Sequence, residues 1–264
     1  MYGWTPKPKP SAVTEGTDMS HAPARVILIT GASRGIGAEA ALQLASADTH
    51  VIVNYREKSK RAAAVAEAIR SAGGHASTLG ADISDEAATA AMIASIAARF
   101  GRLDTLILNA SGGLELGAEP GYAMRLNRDA QRRLALLAMP LMPAGGRIVF
   151  VTSHQAHFFP NKAVPKGYSA VAASKRAGET ALHAMRSQFD RAGIHMTVVS
   201  GDMIDGTIVV RLLQRRDPGA VDARRTLAPL PTVSEFAAAV ANAASTPNPG
   251  SIVFVGGADY LMTA

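Results

Sequence analysis

The chain contains no cysteine among its 264 residues. Disulfide bonds, thiolate metal ligands and cysteine nucleophiles are therefore excluded. Aromatic residues make up only 5% of the sequence, and no nucleic-acid recognition motif accompanies them. No apolar run approaches the roughly 18 residues that suggest a membrane span. We therefore predict no metal site, no nucleic-acid partner and no contact with a membrane.

The basic residues form two local clusters within a chain of formal net charge +6. Five arginines lie between residues 211 and 225, and four lie between residues 125 and 133. Such clusters are typical of solvated helix faces with ion pairs one turn apart. They would equally attract an anionic ligand, such as a phosphorylated cofactor or an acidic substrate. Both interpretations stay open at this point.

The first 24 residues differ from the rest, because they are rich in proline, lysine, serine and threonine. We predict a mobile arm there, followed by a single domain over residues 25–264. The arm has no apolar segment of the kind that a secretory signal requires, so we expect a cytoplasmic protein. Hydrophobic residues, at 48%, are sufficient for a substantial core.

From residue 25 onward, short apolar runs alternate with segments of helical pattern. The predicted strands cover residues 26–30, 50–54, 76–79, 105–108, 146–152, 195–199 and 252–255. The predicted helices cover residues 36–47, 60–72, 85–100, 122–141, 169–191 and 234–244. This alternation predicts an α/β fold, a Rossmann-like doubly wound parallel sheet of about seven strands in three layers. Residues 202–231 interrupt it and are predicted to form a lid, with a helical piece at 207–215.

A glycine-rich turn, TGASRGIG at residues 30–37, follows the first strand and opens the first helix. Gly31 permits a tight turn, Gly35 lets a pyrophosphate approach the backbone, and Gly37 lets the helix pack on the strand. The helix N-terminus offers unpaired amides and a partial positive charge to phosphates. The turn therefore predicts a nucleotide cofactor, although glycines there would also serve packing alone.

The spacing Gly-x-x-x-Gly-x-Gly resembles that of the short-chain dehydrogenase/reductase family, and the resemblance extends over residues 25–258. The supporting motifs are Ala81-Asp82-Ile83, Leu108-Asn109-Ala110, Asn127, Val151-Thr152-Ser153 and Ala173-Ser174-Lys175. The resemblance implies hydride transfer between a nicotinamide and a small-molecule carbonyl or alcohol. It also implies a homodimer or homotetramer, paired through the helices that carry Asn127 and Lys175. Small residues on the second helix (Ala177, Gly178, Ala181 and Ala184) would permit close packing, and arginines on the first would need partners there.

The end of the second strand favours NADP(H) over NAD(H). An NAD site needs a carboxylate at this tip to bind the ribose hydroxyls. The chain instead reads Val53-Asn54-Tyr55-Arg56, and Arg56 together with Arg34 could bind a 2′-phosphate. We expect NADPH to bind at least about tenfold tighter than NADH.

By resemblance, further residues join the turn in binding the cofactor, with Asp82 beside the adenine; a helix N-cap is the alternative role for Asp82. The full predicted set is Gly31, Ser33, Arg34, Gly35, Ile36, Gly37, Asn54, Arg56, Asp82, Ile83, Asn109, Ala110, Lys175 and Thr207.

The catalytic residues implied by the resemblance are present except for one. In the family a serine orients the carbonyl, a tyrosine exchanges the proton, a lysine assists the tyrosine and binds the nicotinamide ribose, and an asparagine positions the lysine. Ser153, Lys175 and Asn127 match these roles. The tyrosine position, four residues before the lysine, is occupied by Val171, which cannot exchange a proton.

Tyr168 is the nearest substitute, one helical turn before Val171. The segment between Ser153 and Lys175 is longer than is usual in the family and could bring Tyr168 to the site. Two helical turns span about 11 Å, however, so Tyr168 and Lys175 would not be closely coupled. Packing at a helix start is the alternative role for Tyr168.

Three other sources of the proton stay open: His154, which directly follows Ser153, the substrate itself, and water. An exposed loop position is the alternative for His154. The sequence thus predicts an NADPH-dependent reductase of a ketone or quinone-like carbonyl with an atypical proton donor. A non-catalytic NADP(H)-binding sensor or partner subunit is the alternative.

Overall fold

The computed structural model describes residues 23–115, 117, 119, 121–246 and 250–258, so nearly all of the predicted N-terminal arm lies outside the described residues. Seven parallel strands form one sheet in the order β3-β2-β1-β4-β5-β6-β7. The strands are β1 (Arg25–Ile29), β2 (Thr49–Tyr55), β3 (His75–Gly80), β4 (Thr105–Leu108), β5 (Arg147–Ser153), β6 (His195–Gly201) and β7 (Ile252–Val255). The doubly wound parallel sheet predicted from the sequence is confirmed.

Helices connect successive strands. They are α1 (Gly35–Gln43), α2 (Ser59–Ser71), α3 (Glu86–Phe100), α4 (Tyr122–Met124), α5 (Gln131–Ala138), α6 (His154–His157), α7 (Ser169–His183), α8 (Arg186–Ala192), α9 (Ile208–Arg216), α10 (Pro218–Leu227) and α11 (Val233–Ser245). A π-helical turn, Arg125–Ala130, joins α4 to α5, and a 3₁₀ turn, Met139–Leu141, follows α5. Within the described residues no helix is long and apolar enough to cross a bilayer.

Side chains alternate between the two faces of the sheet, so each face has its own core. In β1, Val26 and Leu28 belong to one buried cluster, whereas Ile27 and Ile29 belong to the other. All four are fully buried. Burying a side chain of this size stabilises the fold by about 1.5–3 kcal/mol. The sheet is therefore held rigidly beneath the ends of its strands, where the site lies.

A third and smaller hydrophobic cluster lies beneath α9 and α10. Its buried members are Leu114, Ala156, Tyr168, Val171, Ala172, Met203, Val210, Leu213 and Val221. These residues come from the loop after β4, from the segment between β5 and α7, and from the region predicted as a lid. The lid region thus packs on a hydrophobic core of its own, and Tyr168 is part of that core.

The helix predictions were wrong in detail at three places. The helix predicted over residues 122–141 contains the π-helical turn, and the helix predicted over residues 169–191 is interrupted between His183 and Arg186. The lid contains two helices instead of one, because Asp217 caps a new helix that has Pro218 in its first turn. Proline fits a first helical position but cannot continue a helix, so the chain turns a corner there.

Candidate active site

The glycine-rich turn lies where the strand order reverses, between the ends of β1 and β4. Gly31 has a φ of +64°, and a Cβ there would lie 3.1 Å from the Cα of Ala110. A Cβ on Gly37 would lie 2.5 Å from Asn109 Nδ2. Both positions therefore require glycine, since a side chain would push the turn off the neighbouring strand end.

The N-terminus of α1 is open to a ligand. Arg34 is its N-cap residue and makes no side-chain capping bond, so among the described residues no side chain is seen to cap the first amides of the helix. Gly35, with a φ of +57°, has open space where a Cβ would point. Unpaired amides beside an open backbone are the features with which a helix N-terminus binds phosphate.

Asn54 was predicted to contact the cofactor, but its side chain is directed into the protein. Only 2% of the residue is exposed. Its Oδ1 accepts a hydrogen bond from the Gly31 N–H (3.2 Å), and its Nδ2 donates to the carbonyls of Leu79 (3.1 Å) and Ala81 (3.2 Å). Asn54 therefore shapes the glycine-rich turn from below, because three strand ends need their polar backbone groups paired there.

Asn109 and Ala110 brace the same turn from the β4 side. The N–H groups of both residues donate to Thr30 Oγ1 at 3.0 Å, and Asn109 Nδ2 donates to the carbonyl of Thr30 at 2.9 Å. A single threonine hydroxyl thus ties the ends of β1 and β4 together. The two strand ends form one rigid floor for the site.

The outer rim of the turn carries the two predicted arginines, both exposed. Arg56 Nη1 donates to Tyr122 Oη at 2.5 Å, and Arg56 Nε lies 3.0 Å from Glu57 Oε1. No carboxylate stands at the tip of β2 before Glu57, as predicted from the sequence. Arg34 leaves the other side of the rim positively charged.

Asp82 is not a helix N-cap, so that alternative was wrong. Its Oδ1 accepts hydrogen bonds from the Ser84 N–H (2.9 Å) and hydroxyl (2.7 Å), and Asp85 caps α3 instead. The side chain of Ile83, also predicted to bind the cofactor, is buried in the core. Only the backbone of Ile83 is left for a ligand.

Tyr168 lies at the site despite its distance along the chain from Lys175. Its hydroxyl is 3.2 Å from Ser153 Oγ. Tyr168 is the N-cap residue of α7, and only 4% of it is exposed. Burial raises the pKa of the phenol, and the hydrogen bond with Ser153 opposes this rise. The phenol therefore stays protonated at neutral pH.

Asn127 lies inside the π-helical turn and is buried. Its Nδ2 donates to Ser174 Oγ and to the Gly112 carbonyl, both at 2.9 Å, and its Oδ1 accepts from the Gly112 N–H at 3.3 Å. Ser174 directly precedes Lys175, so the asparagine fixes α7 beside the lysine. Sequence reasoning missed this role of Ser174, although it stands within a motif that was singled out.

The helix bearing Lys175 approaches the π-helical turn very closely at Gly178. A Cβ on Gly178 would overlap the carbonyl oxygen of Asn127. The close packing at Gly178 is therefore with the π-helical turn of the same chain, and the subunit contact through this helix stays a prediction. The arginines on the preceding helix also find partners within the chain, since Arg125 pairs with Glu119 and Arg133 with Glu86.

Lys175 is buried, with 8% of the residue exposed, and burial lowers its pKa to about 8. Within the described residues its ammonium group makes no hydrogen bond or ion pair with the protein. Val171, on the same helix, belongs to the apolar cluster beneath the lid. A buried ammonium without a counter-ion is costly unless a polar ligand pairs with it, so Lys175 is suited to bind one.

His154 is neither exposed nor free to donate a proton at Ser153. Its side chain is fully buried, with Nδ1 2.9 Å from Ser200 Oγ and Nε2 3.1 Å from the Gly256 carbonyl oxygen. Burial lowers its pKa. Because both ring nitrogens are engaged at the ends of β6 and β7, its predicted role as a proton carrier is not supported by the geometry.

Thr207 is the N-cap residue of α9. Its hydroxyl donates to the Ile204 carbonyl at 2.8 Å and accepts from the Val210 N–H at 3.3 Å. The Thr207 hydroxyl thus already caps α9, and the predicted contact with the cofactor would have to use the same hydroxyl. The structure brings Ser153, Tyr168, Asn127 and Lys175 to one edge of the sheet, with the glycine-rich turn beside them.

Known proteins resemble this chain in sequence. A probable tetrahydroxynaphthalene reductase from Zymoseptoria tritici is 35% identical over 180 residues, which are 66% of each chain. The 1-cyclohexenylcarbonyl-CoA reductase of Streptomyces collinus is 34% identical over 189 residues, which are 69% of this chain and 65% of that enzyme. The matches thus span slightly less than two thirds of the length of these relatives.

The fold has close counterparts among solved structures. The angucycline C-6 ketoreductase LanV with bound NADP superposes with a TM-score of 0.73, covering 89% of this chain and 96% of that one at 27% identity. The family model described as short chain dehydrogenase matches residues 25–217, well over half of the chain. With its parallel sheet and glycine-rich turn, this chain belongs to the short-chain dehydrogenase family.

Proposed function

We propose that the protein is an NADPH-dependent reductase of a ketone or quinone-like carbonyl, and that Tyr168 is its proton donor. The observation that carries the proposal is the 3.2 Å separation of Tyr168 Oη from Ser153 Oγ. Two hydroxyls at this distance can both bind one carbonyl oxygen, which would place the phenol within the hydrogen-bond reach that a general acid needs. The relatives named as reductases support the same direction of reaction.

The residues of the glycine-rich turn fit a dinucleotide. The uncapped N-terminus of α1 and the open space at Gly35 would receive the pyrophosphate. The half-buried residues Asn109 and Ala110 and the side chain of Asp82 would flank the rest of the cofactor. The ammonium of Lys175, which has no hydrogen-bond partner among the described residues, would bind the nicotinamide ribose hydroxyls. Thr207 is proposed for the carboxamide.

Arg34 and Arg56 would bind the 2′-phosphate that distinguishes NADP(H). LanV was solved with NADP, which supports this choice. We expect NADPH to bind at least about tenfold tighter than NADH, because charge-assisted arginine–phosphate bonds are strong. Fluorescence titration of both cofactors on the wild type, Arg34→Ala and Arg56→Ala tests this. The substitutions should weaken NADPH binding and leave NADH binding unchanged; equal affinities in the wild type would contradict the assignment.

In the proposed mechanism Ser153 and Tyr168 act together on the carbonyl oxygen. Ser153 orients the carbonyl, and Tyr168 donates its proton to the oxygen as negative charge develops there. A hydride for the carbonyl carbon would come from the reduced nicotinamide when that cofactor is bound. Asn127, through Ser174, keeps α7 and Lys175 in place. The product is the alcohol, and the phenolate regains a proton from solvent.

The protonation state of Tyr168 sets the pH dependence of the proposed reaction. Burial raises the pKa of its phenol, the hydrogen bond with Ser153 opposes this rise, and Lys175 is not among the causes. The phenol therefore holds its proton at neutral pH, which is the form that a general acid in carbonyl reduction needs. Oxidation of the product alcohol needs the phenolate as base, so we expect the rate of oxidation to rise with pH.

The surroundings of Tyr168 favour an apolar, aromatic substrate. Leu114, Met203, Val210 and Leu213 share its buried cluster, and none of them offers a polar group. A flat apolar ring system would replace these contacts with little loss. The names of the relatives, a hydroxynaphthalene reductase and an angucycline ketoreductase, support this class.

An NADPH oxidation screen over ketones, naphthoquinones and polycyclic phenolic ketones tests the proposal. Tyr168→Phe and Lys175→Ala should each lower the rate by about a hundredfold or more, within the usual range for a general acid. Tyr55→Phe is the control, since its hydroxyl lies beside Gly80 at β3. A Tyr168→Phe enzyme with the full wild-type rate would reject Tyr168 as the donor.

A second candidate function is a cofactor-binding sensor or partner subunit without turnover. Val171, four residues before Lys175, supports it, because valine cannot exchange a proton and its side chain packs in the apolar cluster under the lid. Tight NADPH binding with no turnover of any substrate would favour this candidate.

The homodimer or homotetramer and the cytoplasmic location stay predictions. Light scattering on the purified protein tests the oligomeric state.

A further inference from the structure

The corner between the two lid helices contacts both walls of the candidate site. Arg216, the last residue of α9, donates from Nη2 to the carbonyl of Leu114 at 2.8 Å. Leu114 belongs to the loop after β4. Asp217, the next residue, accepts a hydrogen bond on Oδ2 from the Lys166 N–H at 2.9 Å. Lys166 lies two residues before Tyr168, so the corner spans the site from one wall to the other.

The two carboxylate oxygens of Asp217 have separate partners. Oδ1 accepts from the Ala220 N–H at 3.2 Å and thereby caps α10. Oδ2 binds the Lys166 N–H. Capping needs only one side-chain oxygen, which serine supplies as well as aspartate does. The second oxygen is therefore free to serve the contact with the loop, and a serine at this position would separate the two roles.

The position of the Tyr168 side chain depends on this loop more than the position of a tyrosine at residue 171 would. Position 171 lies inside α7, where helical hydrogen bonds fix the backbone. Tyr168 is the N-cap residue, and Gly167 before it has a φ of +76°. The N–H of Tyr168 donates to the Pro165 carbonyl, which belongs to the same loop, at 3.0 Å. Among the described residues, the bond from the Lys166 N–H to Asp217 is the only hydrogen bond between the backbone of residues 163–167 and the lid helices or any other helix or strand outside the loop.

We propose that Asp217 is a positioning residue, which fixes the loop before Tyr168 and thereby holds the Tyr168 hydroxyl beside Ser153. The proposal rests on the proposed function, in which Tyr168 donates the proton. Arg216 completes the clamp on the opposite wall. The proton donor is then assembled only while the lid corner rests on the site, and lid closure becomes a condition for chemistry as well as for excluding water.

Hydrogen–deuterium exchange on the full chain tests the clamp without any substrate. Asp217→Ser keeps a cap for α10 but loses the second acceptor. We expect exchange in peptides covering residues 163–168 to become at least about tenfold faster, because the Lys166 amide loses its acceptor, while peptides of α10 stay protected. Asp222→Ser, on the exposed face of the same helix, is the control and should change neither. Unchanged exchange at residues 163–168 would overturn the proposal.

Kinetics then test whether the clamp acts through Tyr168. With the substrate turned over fastest in the screen, Asp217→Ser should lower kcat by about tenfold and change KM little, since the donor is displaced while binding remains. In a Tyr168→Phe background the same substitution should have almost no further effect on the residual rate. Full additivity of the two losses, or an unchanged kcat, would reject the positioning role.

The two proposals fail in distinguishable ways. If Tyr168→Phe retains the wild-type rate, the proposed proton donor is wrong and the positioning role fails with it. If Tyr168→Phe is impaired but Asp217→Ser is fully active, only the positioning role is wrong. Faster exchange at residues 163–168 together with an unaffected kcat would show that the loop is held for stability alone.

Discussion

Replacing the buried lysine of the site should stabilise the ligand-free protein while abolishing its activity. Lys175 has its pKa lowered by burial from 10.5 to about 8, and no protein group compensates its charge in the described residues. At about 1.4 kcal/mol for each pH unit between these two pKa values, the charged lysine lowers the free energy of unfolding by about 3 kcal/mol at pH 7. Lys175→Met removes the charge and keeps most of the side-chain volume. We expect the free energy of unfolding to rise by about that amount.

The pH dependence identifies the cause of this stabilisation. Below pH 8 the lysine is charged in both the folded and the unfolded chain, so the full cost is present. Between pH 8 and about 10.5 the unfolded chain binds more protons than the folded one, and wild-type stability therefore rises with pH. The advantage of Lys175→Met should fall from about 3 kcal/mol at pH 7 to about 2 kcal/mol at pH 9.

Urea denaturation of the cofactor-free protein at both pH values measures these free energies. Lys60→Met, on the exposed face of α2, is the matched control and should change the stability by less than about 0.5 kcal/mol. A Lys175→Met protein that is no more stable than the wild type at pH 7 would refute the reasoning. An advantage that is the same at pH 7 and pH 9 would assign the gain to packing and not to the charge.

Two further predictions concern the helix that carries Lys175. Gly178→Ala places a methyl group against the Asn127 carbonyl, so it should cost about 1–3 kcal/mol of stability and lower kcat as Asn127 shifts. Gly219→Ala on α10 is the control, because the nearest atom to the added methyl group would be 4.0 Å away. It should leave kcat unchanged and leave stability unchanged or slightly raised. Thermal unfolding and steady-state rates compare the two variants. Val171→Tyr places a tyrosine four residues before Lys175, but it overfills a position that is only 4% exposed, and we expect a loss of about 1–3 kcal/mol in urea denaturation. An undiminished stability of Val171→Tyr would mean that the apolar cluster under the lid has room for a ring.

Much of the fold could be predicted from the sequence, because its signals are local. The bounds of β4 and β7 agree with the predicted ones, since each is a short apolar run bounded by turn residues. Gly101 ends α3 in the left-handed conformation that a glycine stop indicates. The π-helical turn could not be predicted, because it has no local signature in the sequence; its contact with α7 through Asn127 and Ser174 appears only in the structure.

The candidate site was predictable in its residues but not in all their roles. Ser153 and Lys175 follow from motifs. The proximity of Tyr168 to Ser153 depends on the path of the loop between α6 and α7, which no periodicity describes. Asn54 and His154 are polar residues at strand ends, and only the structure shows that their polar atoms are paired with the protein. Sequence patterns place such residues at the site but do not show whether they face a ligand.

The separate apolar cluster beneath α9 and α10 has a consequence for how the protein opens. It is distinct from the two cores that hold the sheet, so its contacts can be lost without disturbing them. Native proteins open in such cooperative subunits at a lower free energy than global unfolding requires. The lid and the loop before Tyr168 would then detach as one unit, while the floor tied together by Thr30 keeps its shape. The molecule could thus release its product and displace the proposed proton donor, Tyr168, in a single fluctuation, while the glycine-rich turn keeps its structure.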